Sequence, residues 1–254
     1  MNTSLIIAIH SPQGGSGKST LALNLALQYV KQGRKTLLID MAGYGGVPAM
    51  CKIPIRGNGM SSLITVLEQS SELPHYEHFQ GYFKDAIVQY KEFKDFHILL
   101  SASPLKMEKL SSQFTEYLIE AARKADYGVI IIDTSSELSE RNITCMEIAN
   151  LIIMPTLQDV ASGWKIILLK EILSSLHISK EKIFLVANRV TKYSGFNNKE
   201  LEEEIGFTLL YEIPDIAKKV QKHINSGIPM DLAGIGKVSR IFQQLAQKIV
   251  AQVI

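Results

Sequence analysis

The chain has 254 residues, of which 46% are hydrophobic and 20% are charged, and its formal net charge is +2. This composition is typical of a globular protein, and the mixing of acidic and basic residues argues against nucleic acid as an obligatory partner. The longest apolar runs have only the length of strands, so we expect no transmembrane segment.

Short, nearly all-apolar runs recur along the chain between longer helical patterns. Strands that are apolar on both faces are typical of a buried, mostly parallel sheet with helices on either side. The predicted strands are residues 5–9, 36–40, 97–101, 129–133, 151–154, 183–188 and, more weakly, 208–211. The sequence therefore predicts an α/β fold with a doubly wound, mostly parallel sheet of about seven strands. We expect residues 1–254 to form a single domain, because no linker interrupts this order.

Helical periodicity fills the intervals between these strands. Residues 19–32 are apolar almost all round, which is typical of a helix that is mostly buried. Further amphipathic helices are predicted at residues 107–124, 162–176 and 238–253. Trp164 is expected in the core or at a dimer interface. Residues 41–58 and 190–199 have no clear periodicity, and functional loops are often drawn from such segments.

A glycine-rich loop joins the first predicted strand to the first helix. It reads Ser-Pro-Gln-Gly-Gly-Ser-Gly-Lys-Ser-Thr over residues 11–20. Its glycines allow backbone N–H groups to approach phosphate oxygens, and the following helix directs its N-terminal dipole at the same anion. Lys18 supplies positive charge to the β- and γ-phosphates, and the Ser19 hydroxyl is placed to bind Mg²⁺. The predicted phosphate-binding residues are Gln13, Gly14, Gly15, Ser16, Gly17, Lys18, Ser19 and Thr20.

Polar residues stand at the carboxyl ends of other predicted strands, where ligands bind in open α/β sheets. Asp40 ends the second strand and Asp133 the fourth, while Asn188 and Arg189 follow the sixth. Residues 212–215, Glu-Ile-Pro-Asp, follow the seventh. Asp40 taken alone could equally be a helix-capping acid, but the nearby loop and Asp133 favour a ligand site.

The loop departs from the general GxxxxGK[ST] pattern, because Pro12 stands where that pattern has its first glycine. Its order GG-x-GK-[ST] instead resembles the deviant Walker A loop of the ParA/MinD family of dimeric ATPases. The resemblance extends along the whole chain, since the polar strand ends fall at functional positions of that family. It implies a P-loop NTPase that binds ATP and Mg²⁺ and forms a homodimer with nucleotide at the interface.

The same resemblance gives roles to individual residues. Asp40 matches an acid near the magnesium shell, Asp133 matches the Walker B aspartate, and Asn188 matches an adenine-contacting asparagine. The implied metal ligands are Ser19, Asp40 and Asp133, and the implied catalytic residues are Lys18 and Asp40. The implied base-binding residues are Asn188, Arg189, Ile213, Pro214 and Asp215.

Within the family, residues 133–142, 188–189 and 217–229 look most like the CpaE/TadZ branch of positioning factors for pilus assembly. This resemblance implies a cytoplasmic switch that positions another assembly through an unidentified protein partner. Recruitment to a membrane-associated assembly is compatible with that role. Residues 238–253 invite comparison with the membrane-targeting tail of MinD, but we expect this helix to pack on the sheet, because Lys237, Arg240 and Lys248 give it few basic residues.

Two substitutions bear on hydrolysis. The family's signature lysine, which reaches the partner's nucleotide, is replaced by Gln13, and the family's second acid after strand two is replaced by Ala42. No Asp or Glu lies between Asp40 and Glu68, so the nearest substitutes are Glu137 and Glu140. We therefore predict that ATP binding is retained and that hydrolysis is slow or lost.

Two other function classes fit parts of the sequence. A ParA-like DNA-partition ATPase is suggested by Lys218, Lys219, Lys222 and His223 on one helix, although a solvated helix face explains them equally well. Metallocentre maturation would need paired cysteines at a dimer interface. Cys51 and Cys145 are far apart and form no CxxC pair, so we expect reduced thiols, although Cys51 could meet its symmetry mate.

Overall fold

The computed structural model describes residues 4–43, 46–54, 58–69, 74–230 and 236–253. Within these residues, eight strands form one sheet in the order β3-β4-β2-β5-β1-β6-β7-β8. The strands are β1 Leu5–Ile9, β2 Thr36–Asp40, β3 Val88–Gln89, β4 Phe96–Leu99, β5 Val129–Asp133, β6 Leu151–Leu157, β7 Ile183–Val190 and β8 Thr208–Pro214. Neighbouring strands are parallel except for β3 and β4, which pair antiparallel at one edge. The predicted doubly wound, mostly parallel P-loop NTPase fold is confirmed.

Helices lie on both faces of this sheet. They are α1 Lys18–Lys31, α2 Gly46–Cys51, α3 Met60–Gln69, α4 Tyr76–Ala86, α5 Pro104–Met107, α6 Ser112–Lys124, α7 Glu140–Ile148, α8 Val160–Ser175, α9 Asn198–Ile205, α10 Ala217–Ser226 and α11 Gly236–Val250. In β1, Ile6 and Ala8 face one apolar cluster, and Ile7 and Ile9 face the other. The first cluster includes α3, α4 and α6 to α9, and the second includes α1 and α11.

The central strands match the sequence prediction closely, because each is apolar on both faces. All five residues of β1, β2 and β5 are buried. The sequence missed β3, which has only two residues, neither of them fully buried. Such a short edge strand has no alternation to detect.

The prediction of one helix over residues 107–124 was wrong. The chain forms α5 and then, after a break, α6. Pro104 begins α5, and the Ser111 hydroxyl begins α6 by accepting a hydrogen bond from the Phe114 N–H at 3.2 Å. The residues that start a helix therefore occur twice in this segment, which periodicity alone does not reveal.

The terminal helix packs inside the fold, as expected from its apolar stripe. Phe242, Leu245 and Ile249 of α11 are buried against the second cluster. The side chain of Lys237 and residues 44–45 and 55–57 of the unpatterned segment 41–58 lie outside the described residues. Trp164 is 62% exposed, so its expected place in the core of the chain was wrong. No helix among the described ranges is long and apolar enough to cross a membrane.

Candidate functional site

The loop between β1 and α1 has the backbone shape that its glycines predict. Gly15 and Gly17 have φ values of 75° and 100°, in the left-handed region that disfavours side chains. A Cβ on Gly17 would lie 2.5 Å from Nδ2 of Asn188, which itself donates to the Ser16 carbonyl at 2.7 Å. Asn188 at the end of β7 therefore packs directly on the loop, and only glycine fits beneath it.

Lys18 is the first residue of α1, and its ammonium group is held by the chain. Nζ donates to the carbonyl oxygens of Gln13 at 3.0 Å and Ser11 at 3.3 Å, and to the Ser136 hydroxyl at 2.5 Å. Burial lowers the pKa of Lys18, and the nearby Asp133 opposes that shift. The charge is thus placed beneath the glycines, and its contact with Ser136 links the loop to the segment after β5.

Asp40 and Asp133 lie side by side at the carboxyl ends of β2 and β5. They are direct partners in the parallel register, and both are completely buried. Oδ1 of Asp40 accepts from the Ala42 N–H at 3.0 Å, while its Oδ2 and both oxygens of Asp133 have no hydrogen-bond partner among the described residues. Burial raises the pKa of both carboxyl groups, and the Asp40 charge raises that of Asp133 further. Unpartnered buried carboxylates are costly unless they take up a proton or are neutralised by a cation, and the position of this pair beside the phosphate loop favours a cation.

The donor set fits Mg²⁺. The Ser19 side chain and the Lys18 charge lie close enough to Asp133 to oppose the rise in its pKa. A hydroxyl group therefore stands beside the carboxylates. Within the described ranges, no cluster of three or more His, Cys, Asp or Glu side chains could hold a metal alone. Mg²⁺ is usually held by one or two carboxylates together with phosphate oxygens, which is the arrangement available here. Ser19, Asp40 and Asp133 are brought together as the sequence predicted.

A cavity of about 260 Å³ lies on one side of the phosphate loop. Gly17, Thr20, Asn188, Arg189 and Ile213 line it, so five of the predicted nucleotide-binding residues are brought to one place. The sequence missed the rest of its wall, namely Leu21, Pro155, Ile216, Ala217, Val220, Gln221, Ile224 and Phe242. The missed α10 side chains have ordinary amphipathic spacing, which does not distinguish a cavity wall from a core.

Two residues predicted to bind the base do not line this cavity. Pro214 is exposed at the end of β8. Asp215 is exposed, and its Oδ1 accepts from the Ala217 N–H at 2.9 Å at the start of α10. The Asp215 carboxylate therefore binds the first backbone N–H of this helix from the turn that precedes it.

A second cavity of about 650 Å³ lies on the other side of the loop. Lys18 and Ser19 line it together with the Ala42 methyl group, Glu137 and Arg141. Ala42 thus occupies a place facing the phosphate loop without supplying a carboxylate, as its sequence position indicated. Arg141 was missed, because a single arginine in the first turn of a helix carries no sequence signal.

His10, between β1 and the loop, is a further residue that sequence reasoning missed. It is fully buried, and its Nδ1 lies 2.8 Å from the Thr134 hydroxyl. Burial, and secondarily the Lys18 charge, lowers the pKa of His10 to about 3. The imidazole is therefore neutral near pH 7 and acts as a hydrogen-bonding spacer between β1 and β5.

Comparison with known proteins agrees with this geometry. A family model described as AAA domain (AAA_31) matches residues 4–182, more than half of the chain. The chain belongs to this AAA domain family. The septum site-determining protein MinD of Thermotoga maritima is 24% identical over 251 residues, covering 96% of this chain and 87% of that protein.

Solved structures show the same fold. A ParA family ATPase from Chlorobium tepidum has a TM-score of 0.81 at 16% identity, and covers 97% of this chain and 99% of that one. MinD of Pyrococcus horikoshii, complexed with Mg-ADP, has a TM-score of 0.77 at 20% identity, and covers 98% of each chain. These neighbours support the predicted resemblance to the ParA/MinD family.

In this AAA domain, Gln13 is held against its own chain. Its Oε1 contacts the hydroxyl of Ser162 in the first turn of α8. The same hydroxyl lies 2.8 Å from Oδ2 of Asp159, whose Oδ1 caps α8 by accepting from the Ser162 N–H at 2.9 Å. The residue in the signature-lysine position thus couples the phosphate loop to the start of α8.

Two alternatives receive little support from the AAA domain structure. Lys218, Lys219 and Lys222 of α10 are exposed, but His223 is buried and does not join them, so the basic surface is smaller than the sequence suggested. Cys51 is a buried free thiol, and burial raises its pKa to about 12. A buried neutral thiol is a poor metal ligand, so the geometry does not favour metal binding between symmetry mates.

Proposed function

We propose that this protein binds Mg-ATP at the phosphate loop and acts as a nucleotide-controlled dimeric switch with slow hydrolysis. The observation that carries the proposal is the pair of buried carboxylates, Asp40 and Asp133, with three unpartnered oxygens beside Lys18 and Ser19. Such a site is incomplete without a divalent cation and the anion that accompanies it. The Mg-ADP complex of the Pyrococcus horikoshii neighbour supports the choice of nucleotide.

Different residues of the site would bind the phosphates, the base and sugar, and Mg²⁺. The loop N–H groups and Lys18 bind the phosphates, while Asn188, Arg189 and Ile213 enclose the base and sugar. Ser19, Asp40 and Asp133 hold Mg²⁺, which neutralises phosphate charge when bound. Phosphate oxygens compete with Ser136 for the Lys18 ammonium, so nucleotide binding would release the Ser136 hydroxyl, while Arg141 and Asn142 would still hold Glu137. That exchange is the proposed switching event.

A role in positioning another cellular assembly is supported by one of the relatives. The Thermotoga maritima relative is a septum site-determining protein, and we propose that this chain likewise marks a site for another assembly. The finer assignment, a CpaE/TadZ-like factor for pilus assembly in the cytoplasm, rests on the sequence resemblance. A ParA-like role on DNA is the second candidate, carried by the three exposed lysines of α10.

The outer face of α8 is the surface that a partner copy would cover. Val160, Trp164, Leu168 and Ile172 recur every four residues and are 55%, 62%, 56% and 42% exposed. Large contiguous apolar surfaces of this kind mark interaction sites. Gln13 contacts the buried Ser162 in the first turn of α8, so the phosphate loop lies next to the start of this helix.

We expect Mg-ATP to convert the protein from monomer to dimer in sedimentation velocity, with Mg-ADP much less effective. Trp164→Asp should weaken the dimer without changing ATP affinity, because it places a charge on the apolar face of α8. Tyr82→Asp, the same kind of change at an exposed aromatic residue of α4, is the matched control.

A protein that remains monomeric at high concentration with and without Mg-ATP would contradict the switch. A parallel run with random-sequence duplex DNA tests the second candidate. Salt-sensitive, ATP-dependent association with that DNA would favour the ParA-like role, since nonspecific binding depends on phosphate contacts.

A further inference from the structure

Glu137 lies on the segment between β5 and α7, in the wall of the larger cavity. Lys18, Ser19 and Ala42 line the same cavity. Ser136, the preceding residue, contacts the Lys18 ammonium at 2.5 Å. The Glu137 side chain is 51% exposed, so water reaches it. A carboxylate is therefore present in the cavity that Ala42 leaves without one.

One oxygen of this carboxylate is fixed by the chain. Oε1 of Glu137 accepts from Nη2 of Arg141 and from the Ser135 hydroxyl at 3.1 Å. The Arg141 side chain is only 4% exposed, and its Nη1 donates to the Met107 carbonyl at 3.2 Å. Asn142 fixes the segment further, since its Nδ2 donates to the Ser135 hydroxyl at 2.6 Å and to the Glu137 carbonyl at 2.9 Å.

The other carboxylate oxygen of Glu137 is free to accept a hydrogen bond from water. In the described part of the chain, Oε2 of Glu137 makes no hydrogen bond, while Oε1 makes two. A carboxylate held at one oxygen has a defined orientation, and its second oxygen can accept a hydrogen bond from water at a fixed place. A water-positioning residue needs such an oriented carboxylate with one free oxygen. An acid that only forms a structural ion pair does not need a free oxygen.

We propose that Glu137 is a catalytic residue for ATP hydrolysis and that Arg141 is the positioning residue that orients it, an inference that rests on the proposed ATP site. Oε2 accepts a proton from the attacking water as the water oxygen bonds to the γ-phosphorus. The bond from that phosphorus to the β,γ-bridging oxygen breaks, and ADP keeps its electron pair. Glu137 then returns the proton to solvent, leaving ADP and inorganic phosphate.

The ion pair is not needed to keep Arg141 in place. Arg141 also donates to Met107 and lies 3.9 Å from the Glu108 carboxylate, so it keeps partners if Glu137 is neutralised. The Arg141 side chain is buried, so losing a partner outright would be costly, but a glutamine at position 137 still offers it an oxygen acceptor. Neutralising Glu137 should therefore leave the fold and the loop intact, which makes the assignment testable.

The test is single-turnover hydrolysis of Mg-ATP by the full chain and by Glu137→Gln. Glutamine keeps an oxygen for Arg141 and Ser135 but replaces Oε2 with an NH₂ group, which cannot accept a proton. We expect hydrolysis to fall ~10²-fold, the typical contribution of a general base. Mg-ATP affinity should not change, and bound ATP should survive correspondingly longer before ADP appears. The matched control is Glu147→Gln, an exposed acid of α7 that lines neither cavity beside the loop and should behave as wild type.

Equal hydrolysis by wild type and Glu137→Gln would overturn the inference and leave the ATP-binding proposal standing. Loss of ATP affinity together with hydrolysis in Glu137→Gln would also overturn it, because the residue would then be structural. A wild-type protein that binds ATP but never hydrolyses it would likewise overturn the inference about Glu137. Absence of Mg-ATP binding by the wild type is a different result, and it would reject the proposed function itself.

Discussion

Restoring the two missing groups, in the double variant Gln13→Lys with Ala42→Asp, should accelerate ATP hydrolysis by ~10³-fold or more, the range seen for cationic groups in phosphoryl transfer. Phosphoryl transfer depends mainly on positioning and charge stabilisation, and the wild-type chain has no cation at position 13 and no acid at position 42. Ala42 already lines the cavity beside Lys18 and Ser19, so a carboxylate there faces the phosphates. The side chain at position 13 contacts Ser162 next to Asp159, whose carboxylate makes an introduced ammonium acceptable.

Single-turnover rates of wild type, both single variants and the double variant measure this effect. Each single variant should give part of the gain, with the larger share in Gln13→Lys, because it supplies the missing positive charge. Gln113→Lys, on an exposed position of α6 away from the apolar face of α8, controls for added charge. A double variant no faster than wild type would mean that the loss of activity is spread over more than these two positions.

Lys18→Ala should abolish ATP binding while leaving the fold intact. The ammonium is the main fixed positive charge beneath the loop glycines, and charge-assisted hydrogen bonds to phosphate contribute about 1.5–3 kcal/mol each. Losing two of them corresponds to ~10²-fold or more in affinity. Lys18 also holds the Gln13 and Ser11 carbonyls, which accept water in its absence. Titration with a fluorescent ATP analogue measures the affinity, and thermal unfolding reports the fold.

Lys84→Ala is the matched control, because Lys84 is exposed on α4 and lines neither cavity beside the loop. It should bind the analogue as wild type does. Wild-type affinity in Lys18→Ala would place the nucleotide elsewhere, and the assignment of residues 11–20 would then be wrong.

The sheet and the phosphate loop could be predicted because their signals are local. β1, β2 and β5 are continuous apolar runs with the bounds expected from the sequence, since both of their faces are covered by helices. The positions of Asp40 and Asp133 followed in turn, because parallel strands bring their carboxyl ends to the same edge.

The rest of the site depends on contacts between distant parts of the chain. Gln13 meets Ser162 across 149 positions, and Lys18 meets Ser136 across 118, so no local pattern reveals either pair. Asp215 was assigned to the base by resemblance, yet its carboxylate accepts a hydrogen bond from the Ala217 N–H at the start of α10. The position of a polar residue at a strand end thus predicted its neighbourhood but not its hydrogen-bond partner.

The most direct test of the account is to identify the nucleotide that the protein retains. Wild-type protein would be mixed with stoichiometric Mg-ATP, separated from free nucleotide at timed intervals, and the bound nucleotide quantified by chromatography. The account predicts nearly one nucleotide per chain, present as ATP at early times and converted slowly to ADP. Bound ADP at the first time point would contradict slow hydrolysis, and no bound nucleotide would contradict the ATP site itself.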